Sequence, residues 1–143
     1  MKCYMIRNYL SFADKGPSPY VANIDQESLQ NQNYRTAIWT GEHLQMTLMC
    51  IPPCSDIGLE LHNDVDQFIR IEQGKALAEM GIRKNQVDFR QNMYRGDGVF
   101  IPAGTWHNIT NMGKTPLKLS VIYAPPNHPR GTVHRTKSDA EEN

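Results

Sequence analysis

Several features are absent from this sequence, and each absence excludes a class of protein. Its 15 basic residues balance its 15 acidic residues, so no net charge attracts it to nucleic acid or to an anionic membrane. No apolar run approaches the roughly 20 residues that a membrane-spanning helix needs. Residues 1–7 carry charge without a sustained apolar segment, so we expect no signal peptide and, by default, a cytoplasmic location.

Cysteine is scarce in the chain. Cys3, Cys50 and Cys54 make an odd number and lack the spacing of a disulfide framework. We therefore expect reduced thiols, as in cytosolic proteins. Pro52 and Pro53 bend the backbone between the second and third cysteines, so we do not assign that pair to a metal site.

Long helical runs are missing, whereas short strand-like runs are frequent. At 143 residues, the chain is long enough for one domain with a buried core. From Tyr34 onward, β-branched and apolar runs are separated by Gly, Pro and Asn turns about every 8 to 12 residues, which is typical of an antiparallel sandwich or barrel. No run is long enough for the helix that joins parallel strands, which excludes a doubly wound sheet.

Three regions follow from this pattern. Residues 1–33 form an N-terminal arm that consists of a strand and then a short helix with Asp25 near its start. Residues 34–126 form the β-barrel. Residues 127–143 form an irregular tail with a charged end that we expect to fray. In this tail we expect His128 and His134 to be exposed or to dock on the rim of the barrel.

Two stretches of the predicted sheet place metal-binding side chains beside tight turns. In the strand-turn-strand pattern of residues 58–67, Glu60 and His62 are two apart and so point to one face. Gln67 begins the next apolar run, and His107 follows a Pro-Ala-Gly turn in a second such pattern. Two hairpins that brought these four side chains to one interior would form a site for a divalent cation.

The second stretch resembles the second motif of the cupin superfamily, Gly-x5-Pro-x-Gly-x2-His-x3-Asn. Every position of that motif is matched, by Gly96, Pro102, Gly104, His107 and Asn111. Glycine at the turn position permits a backbone conformation that a side chain would resist.

The first cupin motif, Gly-x5-His-x-His-x4-Glu-x6-Gly, is matched in spacing but altered in content. Cys54 stands at its first glycine, Glu60 at its first histidine and His62 at its second histidine. Gln67 stands at its glutamate, and Gly74 ends the motif. The two motifs together cover residues 54–111.

The resemblance implies a double-stranded β-helix, or jelly-roll barrel, with a divalent metal ion inside. The ion would be Mn, Fe, Ni, Zn or Co, and its ligands would be Glu60, His62, Gln67 and His107. The family usually offers three histidines and one glutamate, whereas this chain offers two histidines, one glutamate and one glutamine. The ligands still carry about one negative charge in total, so a bound dication would keep its Lewis acidity.

A shift of register offers a second assignment for the carboxylate ligand. Asp64 also lies on the face of Glu60 and His62 if the strand extends that far. This assignment leaves only Val65 and Asp66 to turn the chain and breaks the four-residue gap to Gln67, so we favour Glu60. We expect Asp66 to cap the turn or to face water.

Two classes of function fit such a barrel. The first is a metal-dependent enzyme on a small molecule, with oxygenase, isomerase or lyase chemistry. The sequence is similar to small bacterial cupins of the mannose-6-phosphate isomerase-like type, which suggests a sugar-related ligand, although no basic cluster is clearly placed to hold a sugar phosphate. The second is a non-catalytic module that binds a metal or small ligand. In both cases we expect a homodimer, since small cupins pair through an outer sheet.

Overall fold

Two antiparallel sheets form the framework of the protein, whose computed structural model describes residues 14–141. The described elements are α1 (Ile24–Gln30), β1 (Arg35–Thr40), β2 (Gln45–Ile51), β3 (Asp66–Gln73), β4 (Lys75–Gly81), β5 (Phe89–Tyr94), β6 (Gly98–Ile101), β7 (Trp106–Asn111), β8 (Leu117–Ala124), β9 (Val133–His134) and α2 (Lys137–Glu141). One sheet has the strand order β6-β3-β8-β2-β1-β9, and the other has the order β5-β4-β7. The predicted all-β jelly roll is therefore confirmed.

The core lies between these sheets, because apolar residues of both form one buried cluster. Strand β7 shows how the sequence alternation sets the inward face. His107, Ile109 and Asn111 are buried, whereas the residues between them are half-buried. Successive side chains of a strand point to opposite faces, so a histidine at this position points inward.

The turn between β6 and β7 is pinned to the segment that precedes β3. Gly104 has a φ of 82°, which a glycine adopts without strain, and its N–H donates to the carbonyl of His62 at 2.8 Å. The N–H of Ala103 donates to Oδ1 of Asp66 at 2.9 Å. Asp66 is exposed, as one of the two predicted alternatives has it, and it accepts from this turn instead of capping its own.

Helix α1 confirms the short helix predicted in the arm, with Asp25 in its first turn. The side chain of Asn23 caps the helix by accepting a hydrogen bond from the N–H of Gln26. The strand predicted at the start of the arm lies outside the described residues. Both helices within residues 14–141 are too short and too polar to cross a membrane.

The structure corrects the prediction of a strand through Glu60 and His62. The segment between β2 and β3 is irregular and pairs only through isolated bridges at Asp56 and Glu60. A period-two pattern cannot show whether a partner strand is present along its whole length.

The tail is more ordered than predicted. Strand β9 pairs with β1, opposite Arg35 and Thr36, and α2 follows it, so the expectation of an irregular, fraying tail is wrong for residues 133–141. The region boundaries at residues 33 and 126 remain a prediction.

The prediction of reduced thiols is wrong for Cys50, which is disulfide-bonded. Cys54 is free and exposed. The prediction depended on the odd number of cysteines and on an expected cytosolic location. Neither of these shows whether the fold brings two cysteines together.

Candidate metal centre

A single antiparallel bridge aligns two of the predicted metal ligands. The N–H of Glu60 donates to the carbonyl of His107, and the N–H of His107 donates to the carbonyl of Glu60, both at 3.0 Å. Residues that exchange two hydrogen bonds lie directly opposite each other, so their side chains share one face. This bridge places a carboxylate beside a buried imidazole.

His62 completes a group of three. Glu60 Oε1 lies 3.4 Å from His62 Nε2 and 3.5 Å from His107 Nε2. The two imidazole rings are 5.4 Å apart between centroids. Each of the three residues offers a possible ligand atom within 4.8 Å of the others. Two histidines and one carboxylate that converge in this way are suited to a transition-metal dication.

The orientation of His107 is fixed by the backbone. Its Nδ1 lies 2.9 Å from the carbonyl oxygen of Thr105. Because a carbonyl oxygen only accepts hydrogen bonds, Nδ1 carries the proton and Nε2 of the neutral ring keeps its lone pair. Histidines that bind metals are usually held in this way through their other nitrogen.

Three buried polar atoms in this region have no hydrogen-bond partner. They are Nε2 of His62, Nε2 of His107 and Oε1 of Gln67. The contacts from Glu60 to the two histidines are too long or too poorly directed to be hydrogen bonds. Buried polar atoms are rarely left unpaired, because each costs about 1 to 3 kcal/mol. All three atoms are types that coordinate metals, so the residues present fit a bound dication.

Gln67 is a buried residue of the neighbouring sheet. It is 5% exposed and lies opposite Tyr123 in the pairing of β3 with β8. The ring of His62 meets the ring of Tyr123 edge-on, with 6.2 Å between centroids. Gln67 and His62 are therefore both neighbours of Tyr123, Gln67 through the strand register and His62 through its ring.

The electrostatics of the group favour an ionised carboxylate. Burial raises the pKa of Glu60, whereas a proton shared with His107 or His62 would outweigh burial and lower that pKa to about 2. Asp64, the alternative ligand, is exposed and is not part of the group. The arrangement therefore brings together Glu60, His62 and His107, with Asp64 outside the group, whereas Gln67 as a ligand remains a prediction.

A cavity of about 480 Å³ opens onto Glu60. Its other polar walls come from residues that the sequence motifs do not include, namely Tyr34, Arg35, His128, Thr132, His134 and Glu141. Both histidines pack against the barrel instead of facing solvent, since the His128 ring meets Tyr123 edge-on at 5.1 Å and His134 is 9% exposed. The only local signal for Arg35 was a charged residue inside an otherwise apolar strand.

The fold and the group of three side chains define a class of protein. Residues 47–123 match the cupin domain family, and the chain belongs to the cupin superfamily. Among its relatives, the Bacillus subtilis (strain 168) protein YrkC is 55% identical over 137 residues, which cover 96% of this chain and 73% of YrkC.

Solved structures agree with this family. The crystal structure of BH2720 from Bacillus halodurans is 50% identical, has a TM-score of 0.91, and aligns over 92% of this chain and 99% of that chain. KdgF from Halomonas sp. is 16% identical with a TM-score of 0.57 and aligns over 65% of this chain and 80% of KdgF. The second similarity shows the fold alone.

Proposed function

We propose that this chain is a metal-dependent cupin that acts on a small molecule held in the cavity beside Glu60. One observation carries the proposal: the Nε2 atoms of His62 and His107 and the Oε1 atom of Gln67 are buried without hydrogen bonds. A dication held by the two histidines would satisfy both nitrogen atoms and would also pair with the ionised carboxylate of Glu60, and we propose Gln67 as a further ligand.

The donor set points to oxygenase, isomerase or lyase chemistry. Two histidines and one carboxylate with open positions are the ligands of many non-haem iron oxygenases. The dication, when bound, would supply Lewis acidity and an open coordination position. The chain itself fixes the His107 tautomer through the carbonyl of Thr105 and shields His107, which is 1% exposed, from water.

Metal content tests this proposal directly. We would purify wild type, Glu60→Ala and His107→Ala, and measure bound Mn, Fe, Co, Ni and Zn by mass spectrometry. His43→Ala is the matched control, because the side chain of His43 is 87% exposed in a turn. We expect close to one metal per chain in wild type and control, and a large loss in the other two variants. Equal metal content in all four proteins would refute the site.

A second function, a non-catalytic binding module, is favoured by the weakness of the available base. His128 lines the cavity, but burial and the positive charge of Arg35 lower its pKa to about 3, so it is a poor proton acceptor at neutral pH.

A metabolite panel that includes sugars and sugar phosphates, with added Mn2+, Fe2+ or Ni2+, separates the two functions. Metal-dependent turnover supports the enzyme, whereas binding without turnover supports the module. Activity on a sugar phosphate would support the mannose-6-phosphate isomerase-like type.

We also propose a homodimer. An apolar patch on the six-stranded sheet supports the dimer, since Phe100 of β6 is 76% exposed and its ring lies 4.7 Å from that of Phe68. Exposed aromatic pairs of this kind are common at interfaces. Light scattering of wild type and Phe100→Ser tests it. We expect a dimer that the substitution weakens, and a monomeric wild type would contradict the proposal.

A further inference from the structure

Arg35 is a buried cation without a carboxylate partner. Arg35 is 5% exposed. Among residues 14–141, no carboxylate lies within ion-pair distance of its guanidinium group. Burying a charge without a counter-ion is costly. A protein that keeps such an arginine at this depth has a use for its charge.

The contacts of Arg35 hold the guanidinium but do not use all of its donors. Nη1 lies 3.1 Å from Nδ1 of His134, and because guanidinium only donates, this histidine accepts with an unprotonated Nδ1. Nη2 has a long contact of 4.0 Å to the sulfur of Met49, and the ring of Tyr34 lies 5.4 Å from Cζ. Nε is buried without a partner. The side chain is therefore positioned and incompletely satisfied.

The same cavity contains Arg35 and Glu60 on its walls. The remaining charged residue of the lining, Glu141, is exposed and therefore screened by solvent. A dication at the Glu60 site together with one guanidinium exceeds the charge of both carboxylates. With the ion bound, the interior would therefore have a surplus of positive charge, and its walls of low dielectric would concentrate that surplus on whatever enters.

We infer that the ligand of this cavity carries an anionic oxygen group, a carboxylate or a phosphate, which pairs with Arg35 while another part of the ligand faces the metal centre. Guanidinium matches both groups through two parallel hydrogen bonds. This inference extends the proposed function to a class of substrate and depends on it. A cavity of about 480 Å³ accommodates a ligand that spans the two sites.

Ligand-observed NMR with small probes tests the inference. Acetate and inorganic phosphate report the two sources of the anion, and acetamide is the neutral match of acetate. The proteins are wild type, Arg35→Lys, Arg35→Met and a control, Arg83→Gln, whose side chain is exposed outside the cavity. We expect wild type and control to bind at least one of the anions and to bind acetamide about tenfold more weakly or not at all.

The substitutions then decide the role of Arg35. We expect Arg35→Met to weaken anion binding about ten- to hundredfold, and Arg35→Lys to weaken it less. Unchanged binding in Arg35→Met, or equal binding of acetate and acetamide by wild type, would overturn the inference. Where Arg35→Met fails to fold, the comparison of acetate with acetamide in chelator-treated, metal-free wild type takes its place, because acetate could otherwise bind the metal ion directly.

Metal content in the same samples keeps the two proposals separate. Loss of anion binding with metal retained in Arg35→Met supports the inference, because Arg35 is not a ligand. Anion binding that depends on Arg35 in a protein without metal would support the anion site and refute the metal-dependent function.

Discussion

Glu60 and His107 lie directly opposite each other in an isolated antiparallel bridge, and each N–H donates to the other's carbonyl at 3.0 Å. The segment around Glu60 is otherwise irregular, so this bridge provides the register that a strand would normally supply. It couples the side chain of an irregular segment to β7, which is fixed by its pairing with β4. The predictions below test the residues around this bridge and the turns that support it.

Replacing Gln67 is expected to raise the stability of the metal-free protein and to lower its metal affinity. Gln67→Met removes a buried oxygen that has no partner, so we expect the metal-free protein to gain about 1 kcal/mol. The same substitution removes a ligand, and we expect metal affinity to fall about tenfold. Urea unfolding in chelator and competition for metal against a chromophoric chelator measure the two effects.

Two comparisons sharpen this prediction. Gln67→Glu restores a carboxylate, so we expect tighter metal binding by about tenfold and a less stable metal-free protein, since two carboxylates would then repel. Gln91→Met, at an exposed position of β5, is the control. A less stable Gln67→Met with unchanged affinity would contradict the role of Gln67.

Cys54 has a backbone conformation that favours glycine. Its φ is 63°, and the first cupin motif has glycine at this position. Left-handed conformations cost a residue with a side chain about 1 to 2 kcal/mol, whereas glycine adopts them freely. We expect Cys54→Gly to be more stable than Cys54→Ala by about 1 kcal/mol, as measured by thermal or urea unfolding. Alanine is the control because it removes the thiol and keeps the strain. Equal stability of the two variants would show that this turn relaxes.

The lowered pKa of Lys118 predicts that the free energy of unfolding rises at alkaline pH. Burial lowers its pKa from 10.5 to about 8. Between these two values the unfolded chain binds more protons than the folded protein, so the free energy of unfolding rises with pH. The slope from this one group is at most about 1.4 kcal/mol per pH unit.

Lys118→Met is expected to lose this contribution. Urea unfolding at several pH values between about 7 and 10 measures the slope for wild type and variant. Lys114→Met is the control, since Lys114 is exposed and we expect it to follow wild type. Parallel slopes for wild type and Lys118→Met would be evidence that Lys118 is solvated.

Asn111 supports the site without contacting it. Its Nδ2 donates to the carbonyls of Ile51 and Thr115, at 3.0 and 2.9 Å, and its Oδ1 accepts from the N–H of Gly113 at 2.8 Å. Asn111→Leu removes the partner of one buried and two part-buried backbone groups, so we expect a loss of about 2 kcal/mol in unfolding free energy.

The control for Asn111 is Asn92→Leu, an exposed position on β5, for which we expect little change. Metal content should persist in folded Asn111→Leu. Wild-type stability in that variant would mean that water replaces the side chain, and loss of metal in a stable, folded variant would assign Asn111 to the site itself.

The local part of the site could be predicted from the sequence. His107 and its turn are encoded within a few residues, because Pro102 and Gly104 dictate the turn and the alternation of β7 dictates the inward face. The motif spacing also predicted that Glu60 and His62 lie near His107. The strand predicted through Glu60 is instead a single bridge.

The cavity wall could not be predicted in this way. Arg35, His128 and His134 reach the neighbourhood of Glu60 only through the pairing of β1 with β9 and the packing of the tail, which no local period reports. In the sequence, His128 and His134 stand among polar residues, which is also typical of exposed positions. Their burial becomes evident only when the strand that pairs with this segment is known. At two residues, β9 also falls below the length at which a strand pattern can be recognised.

Strand β9 provides a wall of the chamber, yet it follows all eight other described strands in the chain. During synthesis, the barrel strands leave the ribosome before the segment that encloses Arg35 does, and chains fold broadly in that order. The nascent barrel can therefore pair its sheets while its charged interior is still open on one side, and the chamber acquires its final shape only when the tail docks.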